Sequence, residues 1–338
     1  MRTRIRSATM ARPRALMFGG QGAQRVGMAT ALASDSPAAL RVLQEVDEAL
    51  GFKLSALMQD GPAEQLTQTE HAQPATLAHG AAVLAAAREA AGWGEWRVPA
   101  EYVMGHSLGE WTALVACGAL PLAGAARLLR LRGRAMQRAA PAGGGAMTAL
   151  LAAAGAEPDW GAIAARGQDR GTCQVANLNS PRQAVLSGEA EAVARAAAWA
   201  VGSGAVERAA PLRVSAPFHC ELMAPAAAEL AEALREQQFG ALSVPLVSGV
   251  TGGVVRDPED VRRLLVQQVT APVLWSAALR WCVGEGGVRE FAELSPAPVL
   301  KKFAQQTAAL SGVDVRCLYC AKPGSSGWKA LLDHHPEE

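Results

Sequence analysis

The chain is poor in aromatic residues: six Phe, two Tyr and eight Trp make up only 5% of its 338 residues. It also lacks a charge surplus, with 32 Lys and Arg set against 31 Asp and Glu for a net charge of +1. A nucleic-acid protein usually carries a basic excess to meet phosphate, so that class is disfavoured. Six cysteines in a chain of this length are too few for a disulfide framework. Cys117, Cys173, Cys220 and Cys282 stand alone and read as small buried hydrophobes. Cys317 and Cys320 form a single C-x-x-C. Zinc would want a second pair or a nearby His, and only His334 and His335 follow, so no metal site is expected. No run of about 18 uninterrupted apolar residues exists, which excludes an ordinary membrane span. The Ala-rich stretch from Ala75 to Ala91 is broken by His79, Arg88 and Glu89 and reads as a soluble helix.

What the chain does have is apolar bulk in small pieces. Half of it is hydrophobic, much of that Ala, and 19% is charged. Such a chain folds around a large core with closely packed helices, and its length suits about two domains. Met1–Arg14 carries Arg2, Arg4, Arg6, Arg12 and Arg14 with no acid and no apolar segment after them. It reads as a disordered basic tail, not a secretory signal, and the expected location is the cytoplasm.

Ala15–Phe18 is a short apolar run ending in Gly19-Gly20-Gln21-Gly22, a buried strand followed by a Gly-rich turn. Helical patterns follow over Pro37–Leu50 and Ala75–Ala91. A second strand, Tyr102–Met104, runs into Gly105-His106-Ser107-Leu108-Gly109, with helices over Glu110–Cys117 and Leu122–Gln137. This alternation predicts an α/β fold with a mainly parallel sheet. After a loop at Pro141–Gly145 the rhythm changes. Strands at Met147–Ala152, Cys173–Ala176, Ala184–Leu186 and within Ala205–Leu212 alternate with helices at Pro158–Arg166 and Glu189–Val201. Asn179-Ser180-Pro181 is read as the turn between the middle strands. That β-α-β-β-α-β order is ferredoxin-like. The expected organisation is a large domain from residues 15–141 and 213–338, with a small ferredoxin-like domain inserted at 142–212. In its second part the large domain is expected to hold helices at Ala224–Gln237 and Val261–Val269, and strands at Leu246–Val250, Glu290–Glu293 and Val315–Leu318.

Gly105–Gly109 matches G-x-S-x-G at a strand-to-helix junction. A sharp turn there exposes the serine oxygen, and small residues leave room for the bend. The amide of Leu108, at a helix N-terminus, can stabilise a developing oxyanion. A serine nucleophile needs a base. Of the six histidines, His334 and His335 lie in an acidic tail and His106 sits beside Ser107, with its ring expected to point elsewhere. His71 and His79 lie before or within the Ala-rich helix. His219, after Ser215-Ala216-Pro217-Phe218, remains by elimination. No acid between Ser107 and His219 sits at a clear strand end of the main sheet. A Ser–His dyad is therefore expected, with a carbonyl or amide orienting the imidazole.

Arg132 is a separate clue. On a helical wheel Arg127, Arg130, Arg134 and Arg138 share one face. Arg132 falls near 140°, between Leu128 at about 100° and Met136 at about 180°. A guanidinium aimed into an apolar stripe needs a partner. An internal carboxylate and a substrate carboxylate gripped by a bidentate fork are equally open at this point.

Five ordered motifs resemble one family. Gly20-Gln21-Gly22-Ala23-Gln24 comes first, then Gly105–Glu110, then Arg132-Gly133 with Met136-Gln137. Asn177-x-Asn179-Ser180-Pro181-x-Gln183 and Phe218-His219-Cys220 complete the set. Together they are similar to malonyl-CoA:acyl-carrier-protein transacylases and the acyltransferase domains of polyketide synthases, over about Leu16 to Phe303. The resemblance implies an α/β-hydrolase-like large domain with a ferredoxin-like insert. It implies Ser107 as nucleophile, His219 as base, and the amides of Gln21 and Leu108 as oxyanion hole. Arg132 becomes the clamp on the malonyl carboxylate, Gln268 the glutamine whose carbonyl orients the histidine, and Asn179 a neighbour of the acyl chain. Phe218 resembles the malonyl-preferring pattern, because its ring would crowd an α-methyl group. No permanently bound cofactor is implied. Malonyl-CoA is the donor and the phosphopantetheine of an acyl carrier protein the acceptor. The expected enzyme is a cytoplasmic monomer with no nucleic-acid or membrane partner. Arg280, Arg289, Lys301 and Lys302 are the basic residues expected to meet an acidic carrier.

Two features depart from the usual pattern. Gly19 stands where the family commonly has Pro, and its loss is expected to loosen the loop. Leu294–Leu300 is closer to the polyketide enzymes, which tilts the expected pathway that way. The competing readings are an editing hydrolase that clears carrier-bound acyl groups, a catalytically idle carrier-binding module, and a transferase for a longer acyl group. The last two sit poorly with Ser107, His219 and Arg132 together.

Overall fold

The computed structural model describes residues 12–94, 97–140 and 145–334. Short apolar runs become strands buried on both faces, as a parallel sheet with helices on each side requires. Among the described residues ten strands make two sheets. In chain order they are β1 (Arg14–Phe18), β2 (Tyr102–Gly105), β3 (Gly145–Leu151), β4 (Cys173–Ser180), β5 (Gln183–Glu189), β6 (Arg208–Pro211), β7 (Leu246–Val247), β8 (Val254–Val255), β9 (Glu290–Glu293) and β10 (Arg316–Tyr319).

The larger sheet runs β10-β9-β1-β2-β7-β8. All its pairings are parallel except the β7–β8 edge. β1 sits at the centre with every residue buried. From it the chain builds outward through β2 and β7 on one side and later through β9 and β10 on the other. Ligands in open α/β sheets collect beyond the carboxyl ends of strands at such a reversal. The Gly19–Gly22 turn leaves β1 there, and the serine-bearing turn leaves the adjacent β2.

The second sheet is wholly antiparallel, β4-β5-β3-β6, which is the ferredoxin-like order. β4 outruns the predicted strand, and Asn179 and Ser180 belong to it, not to a turn. Register shifts at Val175/Asn177 and Leu178/Ser180 re-aim its last residues, as bulges do. That end of β4 also pairs with the large domain. Leu178 N–H donates to Val273 O at 2.9 Å, and Val273 N–H donates to Ala176 O at 2.8 Å. The insert is thereby fastened over the carboxyl edge of the main sheet.

Other expectations need correction. Arg14 is not tail: it opens β1, is buried, and its Nη2 lies 2.6 Å from Glu290 Oε1. Residues 1–11 of the basic tail and 141–144 of the predicted boundary loop lie outside the described residues, as does His335. The Ala-rich helix begins at Thr69, ahead of Pro74. Its first turn holds because His71 and Ala72 N–H both donate to Gln68 O, at 2.9 and 2.8 Å. The helices Thr30–Asp35, Leu54–Asp60, Trp275–Val283 and Leu300–Leu310 were not anticipated. Among the described residues no helix is long and apolar enough to cross a membrane, and no cluster of His, Cys, Asp or Glu could hold a metal.

Small residues decide how closely helices approach. A Cβ on Gly133 would stand 2.7 Å from Thr69 O and 2.8 Å from Glu70 Cα. The Leu122–Ala139 helix therefore crosses the Thr69–Ala91 helix almost backbone to backbone. Arg132, one residue before the contact, is carried onto Gln73 of the crossing helix.

Candidate active site

The turn after β2 is tight enough to forbid side chains beside the serine. A Cβ on Gly105 would meet Gly109 C at 1.9 Å, and one on Gly109 would meet Phe18 O at 2.1 Å. Ser107 itself is left-handed, with φ 54°, a conformation that costs a non-glycine residue roughly 1–3 kcal/mol. His219, also at φ 60°, is the only other described non-glycine residue with positive φ.

These two strained residues meet. Ser107 Oγ lies 2.7 Å from His219 Nε2. His219 Nδ1 is 2.8 Å from the Gln268 backbone carbonyl. A carbonyl only accepts, so Nδ1 carries the proton and Nε2 is free to accept from the serine hydroxyl. Burial, reinforced by the Arg132 charge, pushes the His219 imidazole down to about 3, with the Gln268 carbonyl opposing. At neutral pH the ring is a neutral acceptor. The third member is thus a carbonyl, and it belongs to Gln268.

Arg132 is 2% exposed. Its Nη1 donates to Gln73 Oε1 at 2.9 Å and its Nη2 to Gln268 Oε1 at 3.1 Å. Nη2 also stands 3.4 Å from Ser107 Oγ, and Nε has no protein partner. Among the described residues no carboxylate lies within 4.0 Å of this guanidinium. The internal acid that acts on it, Glu110, does so through its charge and not through a contact ion pair. Burial lowers the arginine to about 10, so it stays charged at neutral pH.

A cavity of about 320 Å³ opens at the dyad. Gln21, Asn179, Phe218 and His219 line it, with apolar walls from Met147 and Val185 of the small sheet and Phe303 of the large domain. Neither the Gln21 nor the Leu108 N–H is engaged by another group among the described residues. The Gln21 side chain donates to Thr69 Oγ1 at 3.3 Å. Asn179 does more than line the wall: its Oδ1 lies 2.8 Å from His106 Nε2, and its Nδ2 donates to Gln183 Oε1 at 3.0 Å. His106 therefore does not point away, as its position beside Ser107 suggested. Its ring borders the cavity and packs edge-on to Trp275.

Gly19 packs against Ser295. A Cβ there would fall 2.7 Å from Ser295 Oγ and 2.9 Å from Ser295 Cβ, so Ser295 occupies the room a side chain would need. The predicted basic cluster separates. Lys301 and the exposed Lys302 adjoin the wall residues Leu300 and Phe303. Arg289 precedes β9, at the opposite end of the strands, and donates to Val283 and Val288 carbonyls. Arg280, in the last turn of Trp275–Val283, reaches back one turn to donate to Ser276 Oγ.

Sequence reasoning missed Gln73 and Glu110. Nothing short-range marks Gln73, which matters only because of the helix crossing. Glu110 was visible as the acid directly after G-x-S-x-G but was passed over. It is 1% exposed and its Oε2 accepts from Gln268 Nε2 at 2.8 Å.

The acyl transferase domain family model matches residues 16–322. The malonyl CoA-acyl carrier protein transacylase of Bacillus subtilis (strain 168) is 41% identical over 286 residues, covering 85% of this chain and 87% of that protein. The acyl-carrier-protein-S-malonyltransferase of Bartonella henselae superposes with a TM-score of 0.87 at 39% identity, over 95% of this chain and 98% of that one. PlMCAT, a malonyl-transacylase solved in complex with the type II polyketide carrier protein AntF, also gives 0.87, at 33% identity over 96% of this chain and 100% of that one.

Proposed function

Because the chain belongs to the acyl transferase domain family, we propose that it moves a malonyl group from CoA to the phosphopantetheine thiol of an acyl carrier protein, through an acyl-Ser107 intermediate, in fatty-acid or polyketide synthesis. One observation carries the reading. The Ser107 hydroxyl lies between a neutral imidazole at 2.7 Å and a charged guanidinium at 3.4 Å that lacks a carboxylate partner.

Ser107 attacks the thioester carbonyl while His219 Nε2 takes the hydroxyl proton. The carbonyl oxygen gains negative charge, which the free N–H groups of Gln21 and Leu108 stabilise. The C–S bond breaks and CoA leaves as its thiol, carrying the proton from His219. In the second half the carrier thiol gives its proton to His219 and attacks the acyl-serine. The Ser107 oxygen then leaves and takes the proton back. One thioester replaces another. Arg132 grips the free carboxylate, and Phe218 limits the room beside the α-carbon. Asn179 holds the acyl end of the cavity, and Gln268 orients the base.

The similarity to a malonyl-transacylase bound to a carrier protein supports the macromolecular partner. Lys301 and Lys302 are the basic residues placed to meet it. A cytoplasmic monomer is the form proposed.

The test is intact-mass detection of a malonyl adduct on incubation with malonyl-CoA, followed by addition of holo carrier protein. The adduct should appear on the wild type, be absent from Ser107→Ala, and pass to the carrier thiol. Release of free malonate in place of transfer would replace this reading with the hydrolase.

A further inference from the structure

Gln268 has three separate jobs at this site. Its backbone carbonyl accepts from His219 Nδ1–H at 2.8 Å. Its side-chain oxygen accepts from Arg132 Nη2 at 3.1 Å, and its side-chain nitrogen donates to Glu110 Oε2 at 2.8 Å. An amide can sit either way round, and neighbours decide. Arg132 can only donate, and an ionised Glu110 can only accept. With Arg132 on one side and Glu110 on the other, only one orientation leaves no clash. Glu110 is itself held: the Gly249 N–H donates to Oε2 at 3.4 Å, and the neighbouring Ser248 hydroxyl favours its ionised form. The acid stands behind the amide and does not contact Arg132 within 4.0 Å.

We propose that Glu110 is a positioning residue of the reaction, locking the Gln268 side chain so that Arg132 is anchored by two neutral amides and keeps its full charge for the acyl carboxylate. A direct Glu110–Arg132 ion pair would neutralise the clamp before substrate arrived. An amide left to rotate would turn its NH2 on the guanidinium and displace it. The arrangement supplies fixed geometry without a competing anion in contact. Burial raises the acid to about 7, while Gln268, the Gly249 N–H and the Arg132 charge oppose that shift and favour its accepting, ionised form.

The inference rests on Arg132 receiving the acyl carboxylate. The experiment compares Glu110→Gln, Glu110→Asp and Glu110→Met, measuring Ser107 loading rates with malonyl-CoA and acetyl-CoA over a range of concentrations, with melting temperatures alongside. Glu110→Gln keeps an acceptor at the same reach and removes the charge, so its malonyl-to-acetyl ratio should equal or exceed that of the wild type. Glu110→Asp keeps the charge but falls short of Gln268, and Glu110→Met keeps neither. Both should lower the ratio at least tenfold, chiefly through a higher KM for malonyl-CoA. An unchanged ratio in Asp, or a ratio in Gln as low as in Met, overturns the proposal. If one of Met and Asp does not fold, the other decides, and an unchanged ratio in it overturns the proposal. A wild type that shows no preference for malonyl-CoA defeats the clamp reading itself, a result distinct from any pattern among these variants.

Discussion

Ser107 Oγ and His219 Nε2 stand 2.7 Å apart, and both residues hold the left-handed backbone that side chains avoid, at φ 54° and 60°. Strain of this kind persists only where the surroundings over-determine it. Here the surroundings are the Gly105–Gly109 approach under one residue and the Gln268 carbonyl behind the other.

Relief of that strain is measurable. Ser107→Gly and Ser107→Ala both remove the hydroxyl, but only glycine adopts φ 54° freely. Neither variant should form the malonyl adduct, while the Gly variant should be more stable than the Ala variant by about 1 kcal/mol. Urea midpoints of the two proteins provide the comparison, and equal midpoints would contradict a strained elbow.

The glycines beside it tolerate no addition. In Gly105→Ala and Gly109→Ala the new methyl would overlap backbone at 1.9 and 2.1 Å, and backbone cannot swing aside as a side chain can. Each should lose at least about 3 kcal/mol of stability. Thermal unfolding would detect it, and a variant melting like the wild type would show that the turn can open.

Arg132→Lys should behave as a severe change. An ammonium is a single point charge and cannot span Gln73 and Gln268 while offering a fork to a carboxylate. Malonyl loading should fall about a hundredfold, corresponding to roughly 3 kcal/mol, and acetyl loading much less. Parallel labelling rates with the two donors measure this, and equal losses would remove Arg132 as the clamp.

The buried acid and base have opposite linkage to pH. His219 is lowered from 6.5 to about 3 in the folded state. Its contribution to stability is therefore present above 6.5 and lost as pH falls toward 3. Glu110 is raised from 4.5 to about 7, so its contribution is present below 4.5 and lost as pH rises through 7. Between these limits the two slopes oppose one another. Glu110→Gln deletes one of them, and stability should then climb more steeply from pH 4.5 to 7 than in the wild type. Denaturation midpoints across that range test the sign. In the same window Ser107 loading by the wild type should not fall away below pH 6.5, because the imidazole stays neutral; a rate halved at pH 6.5 would mean an ordinary, solvated histidine.

Local features were readable where the signal is short-range. Tyr102–Gly109 announces a strand, a tight turn and a helix within eight residues, and the helical wheel alone picked Arg132 out of five arginines. The β-α-β-β-α-β order also follows from local patterns, although strand ends moved by several residues. The strand runs on to Asn179–Ser180 because its register shifts let Ser180 pair with Gln183, while Ala176–Leu178 also pair with Val273, nearly a hundred residues away in sequence. Arg14 looked like tail because its partner, Glu290, lies 276 residues away along the chain.

From the sequence alone came the serine, the histidine by elimination, the inward arginine and the class of fold, because each depends on residue type and on periods of two or 3.6 residues. Only the tertiary structure decided what faces what. It brought Gln73 to Arg132 through a close helix crossing, set the Gln268 carbonyl behind His219, turned the His106 ring to Asn179, and left the guanidinium without a carboxylate in contact. Those relationships depend on angles between elements far apart in the chain, and no local period records such angles.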